Sequence, residues 1–147
     1  MKYIKIIAFL VGITLLFACD SNVENNTTAK TVADNISKIE VIDFHSTHRC
    51  KTCNAIEVNT NYTLNTFFSK ELENGDITFR IINVDKKENE NIAEKFEATG
   101  TALFLNVIHQ GQENQINLTD FAFMKGNNKT DFSEALKLKI EDALKSI

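Results

Sequence analysis

The nine residues His45-Ser46-Thr47-His48-Arg49-Cys50-Lys51-Thr52-Cys53, "HSTHRCKTC", hold two of the three cysteines and two of the three histidines in the chain. Two residues between cysteines at the start of a helix let a disulfide open and close across one turn, which makes a redox couple. A thiolate nearest a helix N-terminus is stabilised by unpaired backbone N–H groups and by the positive end of the dipole. Cys50 is therefore expected to be the nucleophile, with His48, Arg49 and Lys51 adding positive or protonatable charge around it. Cys53, one turn along, is expected to be the less exposed, resolving thiol. A metal site competes for the same residues. His45, His48, Cys50 and Cys53 read as H-x2-H-x-C-x2-C, a set of soft or borderline ligands that suits zinc or copper(I). Against it, His45 ends a strand and Cys53 lies inside a helix, so a closed tetrahedron from one turn is awkward. His109 is remote in sequence, and the chain has a single CxxC. A purely structural staple is the weaker reading, because closing so short a loop removes little chain entropy. The redox couple is preferred, and a metal or metalloid module on His45, His48, Cys50 and Cys53 is the alternative.

The elements that must position this stretch follow from pattern. "IEVIDFHS" is a short β-rich run ending at the motif. "CNAIEVNTNYTLNTFFSKELENG" carries Ile56, Leu64, Phe67, Phe68 and Leu72 at rough helical spacing and stops at Asn74-Gly75. Its centre, "NTNYT", is a poor helix former, so a kink is expected there. "DITFRIINVD" is a second strand. "ENENIAEKFEATG" is a second helix with Ile92, Ala93 and Phe96 on one face and Gly100 beyond its end. "ALFLNVIHQGQENQINL" is a pair of strands around Gln110 to Asn114 with Gly111 in the turn. "DFAFM" (Asp120 to Met124) reads as core packing ahead of an exposed docking patch. "TDFSEALKLKIEDALKSI" is a terminal helix with Phe132, Leu136, Ile140 and Leu144 on its apolar face and an N-cap expected at Thr130 or Asp131. The order is β-α-β-α-β-β-α. A crossover helix makes the first two strands parallel, and the last two form a hairpin. That is an α/β, minimal thioredoxin-like arrangement over residues 38–147, with the CxxC between the first strand and the first helix.

Ahead of it, residues 1–18 carry Lys2 and Lys5, an apolar run from Ile6 to Phe17, and the small residue Ala18. These mark a secretory signal whose apolar core is shorter than the ~20 residues of a spanning helix. "LFAC" resembles the lipobox of bacterial lipoproteins, which implies lipidation of Cys19 and a domain anchored in the cell envelope, facing the periplasm. Residues 19–37 are polar and lack an apolar period, so they read as a flexible tether. Loss of Lys2 and Lys5 takes the basic residues from 16 to 14 against 20 acidic, a formal charge of −6. No basic stripe suits nucleic acid, so a nucleic-acid partner is not expected.

"VIDFHSTHRCKTC" resembles the thioredoxin superfamily in its apolar strand, its Asp-Phe pair and its CxxC, with one extra residue before the first cysteine. More closely, "FHSTHRCKTCNAIE", "INVDKKENENIAEKFEATGTALFL" and "NLTDFAFM" resemble bacterial proteins of the nitrophenyl compound nitroreductase subunit ArsF-like family. The resemblance implies thiol–disulfide exchange with a protein redox partner, as an auxiliary subunit of a reductase system. No Gly-rich phosphate loop is present, so no flavin or nicotinamide cofactor is expected. In thioredoxins a buried acid assists proton transfer to the resolving cysteine, which by resemblance gives Asp43 that role. Arg49 stands where thioredoxins carry tryptophan. Their cis-proline is absent, since the chain has no proline, and by position Thr101-Ala102 takes its place. A trans peptide is expected there, because a cis bond before a residue other than proline costs ~2.5–4 kcal/mol.

Overall fold

The computed structural model describes residues 37–147. The expected signal segment 1–18, the lipidation site Cys19 and the tether up to residue 36 lie outside the described residues. Four strands form one sheet in the order β2-β1-β3-β4. β1 (Lys38–His45) runs parallel to β2 (Ile77–Asn83) and antiparallel to β3 (Ala102–His109), which pairs antiparallel with β4 (Gln112–Asn117). The β1–β2 crossover is helical, comprising α1 (Lys51–Phe67) and α2 (Ser69–Asn74). This is the thioredoxin-like α/β fold, with the cysteines at the C-terminal end of the central strand β1.

Alternation along β1 sorts its side chains to two faces. Ile39 and Val41 join Leu103, Leu105, Ile56 and Leu64 in one core, closed by Phe132, Leu136 and Ile140 of the last helix, α5 (Lys129–Leu144). Ile42 and Phe44 face the other way and pack with Phe96 and Phe104. Those three aromatic rings meet at 5.2–5.9 Å between centroids, a tilted and edge-on cluster of the kind rings prefer. Asp43 shares the parity of Ile39 and Val41. Its carboxyl is thereby aimed beneath α1.

The helices depart from the expected pattern in four places. The break in the crossover falls at Phe68, not in "NTNYT". Asn59, Thr60 and Thr63 are buried in an unbroken α1; the Thr63 hydroxyl donates to the Asn59 carbonyl at 2.7 Å, and Asn59 Nδ2 to the Gly126 carbonyl at 2.9 Å. Phe68 leaves the helix with φ −132° and enters the core. The second predicted helix is shorter, a 3-10 turn at Lys87–Asn89 and α3 (Glu90–Lys95). Glu97 adopts φ 51°, and Phe96 and Ala98 turn into the aromatic core, so the helix ends before Gly100. An additional helix, α4 (Thr119–Lys125), covers "DFAFM". Ala122 is buried and Phe121 stacks on Phe132 at 5.2 Å, while Phe123 and Met124 stand 42 % and 84 % exposed. Finally, α5 is capped by Asn128, whose Oδ1 accepts from the Asp131 N–H at 3.2 Å. The hairpin turn is tight: Gln110 (φ 51°) and Gly111 (φ 75°) both take the left-handed conformation a two-residue turn requires.

Candidate redox site

β1 ends at His45, and the loop to α1 is tied to the end of β2. The Val84 N–H donates to the His45 carbonyl at 2.9 Å, the Thr47 N–H to Asp85 Oδ2 at 2.7 Å, and Asn83 Nδ2 to Thr47 Oγ1 at 3.1 Å. The Thr47 backbone bond, with the nearby charges of His48 and His45 adding less, holds the exposed Asp85 carboxyl below the usual range. On the other side, a Cβ placed on Gly100 would lie 3.6 Å from Ser46 Oγ. This brings the Gly100–Ala102 turn against the loop.

Cys50 is the N-cap of α1, and its Sγ accepts from the Cys53 N–H at 3.0 Å. That N–H is one of the orphan donors of the first turn. Cys50 and Cys53 are joined in a disulfide with Cα atoms 5.0 Å apart, within the range that needs no backbone movement. Cys50 is exposed to solvent, whereas Cys53 is 8 % exposed. An incoming group therefore meets Cys50 first.

Beneath the pair lies a buried charge system. Asp43 is 0 % exposed, and neither of its carboxyl oxygens has a hydrogen-bond partner. Burial pushes its pKa up to about 7, against the opposing pull of Arg49 and with a smaller upward push from Glu57. The Arg49 guanidinium is not directed at Cys50. Its Nη1 binds the Glu57 carboxylate, and its Nη2 donates to the Cys53 carbonyl at 3.2 Å and lies 3.6 Å from Asp43 Oδ2. The positive charge expected to flank Cys50 is thus shared among two carboxylates and a carbonyl. Lys51 and His48 are exposed beside Cys50. Thr101 and Ala102 lie at the start of β3, where Ala102 pairs with Phe44, and no peptide among the described residues is cis.

The alternative metal quartet is not assembled. Both sulfurs are in the disulfide, and His45 Nδ1 bonds the Ser46 carbonyl oxygen at 2.9 Å. Among the described residues no group of three or more His, Cys, Asp or Glu side chains is placed to hold a metal ion. Sequence reasoning missed Glu57, Asp85 and the Gly126–Asn128 loop, in which Asn127 Nδ2 donates to Thr52 Oγ1 at 3.0 Å. Glu57 carried a signal. With Cys50 as the cap, Cys53 and Glu57 fall three and seven residues on, along one helical stripe.

No family model matches the chain, and no curated protein matches it either. Among solved structures, it is similar to oxidised mitochondrial thioredoxin 3 from Saccharomyces cerevisiae, with 23 % identity over 68 % of this chain and 85 % of that one and a TM-score of 0.40. It is similar to Fasciola hepatica thioredoxin, with 21 % identity over 67 % and 86 % of the two chains and a TM-score of 0.40. For thioredoxin NaTrxh from Nicotiana alata the identity is 22 % over 67 % and 78 %, with a TM-score of 0.39.

Proposed function

We propose that this chain is a thiol–disulfide exchange protein acting on a protein partner. The observation that carries the reading is the Cys50–Cys53 disulfide itself: an exposed sulfur capping a helix, a buried sulfur one turn along, and a buried carboxyl below. In the reducing direction the Cys50 thiolate attacks a partner disulfide. One partner sulfur leaves as a thiolate and the other stays joined to Cys50. Cys53 then passes its thiol proton to Asp43 and attacks Cys50 Sγ. The bond to the partner breaks, its second sulfur leaves as a thiolate, and the Cys50–Cys53 bond forms. The partner is reduced by two electrons and the pair is oxidised. The same steps run backwards oxidise a partner.

The cellular setting in this proposal comes from sequence. Lipidated Cys19 anchors the chain to a bacterial membrane with the domain facing the periplasm, and the ArsF-like resemblance suggests an electron-carrying auxiliary subunit of a reductase system. No helix among the described residues is long and apolar enough to cross a membrane. The assignment of Cys50 as nucleophile is tested by alkylation rate against pH. Cys53→Ser keeps the capping sulfur and its helix N-terminus, so its remaining thiol reacts fast well below the free-cysteine range of ~8.5; Cys50→Ser does not. Two variants with the same pH curve would remove Cys50 from the attacking role.

A further inference from the structure

Arg49 immediately precedes the attacking cysteine of the proposed exchange, yet its guanidinium points along α1 and inward. A guanidinium is a planar fork that serves one carboxylate best with two parallel bonds. Here the fork is divided. Glu57, half-buried two turns into α1, takes the close contact through Nη1. Nη2 is left bonded to the Cys53 carbonyl at 3.2 Å and 3.6 Å from Asp43 Oδ2, while the buried Nε has no partner. Asp43 receives a long ion pair and no hydrogen bond, although a cation capable of both is beside it.

We infer that Glu57 is a positioning residue for the resolving step: by holding Arg49 through Nη1 it keeps the guanidinium from closing onto Asp43, and leaves that carboxyl able to take the proton of Cys53. The inference rests on the exchange chemistry proposed above and assigns a part to a residue that touches neither sulfur. Few other charges compete. Asp43 is flanked across the sheet by Ile81 and Leu103, and the residues that α5 buries against this face are Phe132, Ser133, Leu136, Ile140 and Ala143, all uncharged. Arg49 from the loop and Glu57 from α1 are the charges that act on the carboxyl, and they act in opposite senses. Removing the Glu57 charge frees Arg49 to pair fully with Asp43 and lock it as a carboxylate, a poorer proton acceptor. Removing Arg49 leaves Asp43 buried with no cation.

The test measures the charge of Asp43 and the resolving step separately, on the full chain. Carboxyl-carbon NMR of the oxidised protein follows the Asp43 titration in the parent, in Glu57→Gln and in Arg49→Met. The midpoint should fall in Glu57→Gln and rise in Arg49→Met, each by about one pH unit or more, the effect of a charge gained or lost at this range. Next, Cys50 is joined to a coloured aromatic thiol as a mixed disulfide, and its release by Cys53 is timed against pH. The pH midpoint of release should move as the titration does. A Glu57→Gln titration like the parent's, or shifted in the same direction as Arg49→Met, overturns the inference. So do shifted titrations with three superimposable release curves, and in that case exchange through Cys50 stands. A parent that releases no thiol sinks the exchange reading itself, and the positioning role with it. Glu57→Asp, which keeps the carboxylate, should stay nearer the parent than Glu57→Gln in both measurements.

Discussion

Asp43 is a buried carboxyl with neither oxygen hydrogen-bonded, and such a group costs stability wherever it must ionise. Its pKa is raised from 3.8 to about 7, so the sign of the pH dependence follows. Below pH 3.8 the folded and unfolded chains both hold the proton, and the group costs nothing. As pH rises from there to about 7 the unfolded chain loses the proton and the folded chain keeps it, so stability falls; above that range both are ionised and the loss is complete. The full loss is up to roughly 4 kcal/mol. Asp43→Asn should therefore match the parent in urea unfolding near pH 4 and exceed it by a few kcal/mol near pH 8. An equal gap at both pH values would mean that the carboxyl is solvated in the folded state. At this scale the sequence made the Cys50–Cys53 pair legible, because a CxxC after a strand is a local pattern, whereas Asp43 was singled out only by resemblance. The sequence misled on Arg49, whose place beside Cys50 suggested a flanking charge. A side chain that long is directed by the acids it can reach in space, and Glu57 and Asp43 outcompete a neighbour in sequence.

Among the elements, α1 is held from outside by the turn between α4 and α5. A Cβ on Gly126 would come 2.6 Å from the Ala122 carbonyl oxygen, 3.0 Å from Ile56 Cγ1 and 3.2 Å from Thr52 Cγ2. The turn thus packs on α1 backbone-close, next to Thr52 between the two cysteines. Gly126→Ala should lower the unfolding free energy by about 1–3 kcal/mol, the usual cost of overpacking a close contact, measured as a drop in the urea midpoint at constant slope. An unchanged midpoint would show that the turn can step back freely. None of this was readable from periodicity. The strands were more legible, since β-rich runs and turn signals such as Gly111 mark them locally. The end of α1, the early stop of α3 and the existence of α4 depend on which aromatic side chain finds the core: Phe68, Phe96 and Phe121 each turn into it where helical spacing alone gave no instruction. The cap of α5 moved to Asn128 for a simpler reason. Asn, Thr and Asp all cap well, and three of them stand within four residues.

For the whole molecule, the direction of β1 separates attachment from chemistry. The chain enters the sheet at Lys38 and reaches the site past His45, roughly 23 Å further along at ~3.3 Å per residue. The proposed anchor at Cys19 would therefore attach at the end of the domain remote from the disulfide. The charge suits this placing. A chain that carries −6 from Cys19 onward gains nothing electrostatically from an anionic leaflet, so in the proposed setting membrane retention would depend on acyl chains at Cys19. This part of the proposal rests on the "LFAC" resemblance alone, and packing in the folded domain adds nothing to it. Expressed in a bacterial host and fractionated, the parent should sediment with membranes, and Cys19→Ala should appear in the soluble envelope fraction. Both should carry the same alkylation profile at Cys50 after reduction, because the substitution lies beyond the domain that holds the site. A parent found in the soluble fraction alongside Cys19→Ala would rule out the lipid anchor. A Cys19→Ala chain that stays on the membrane would point instead to an uncleaved leader.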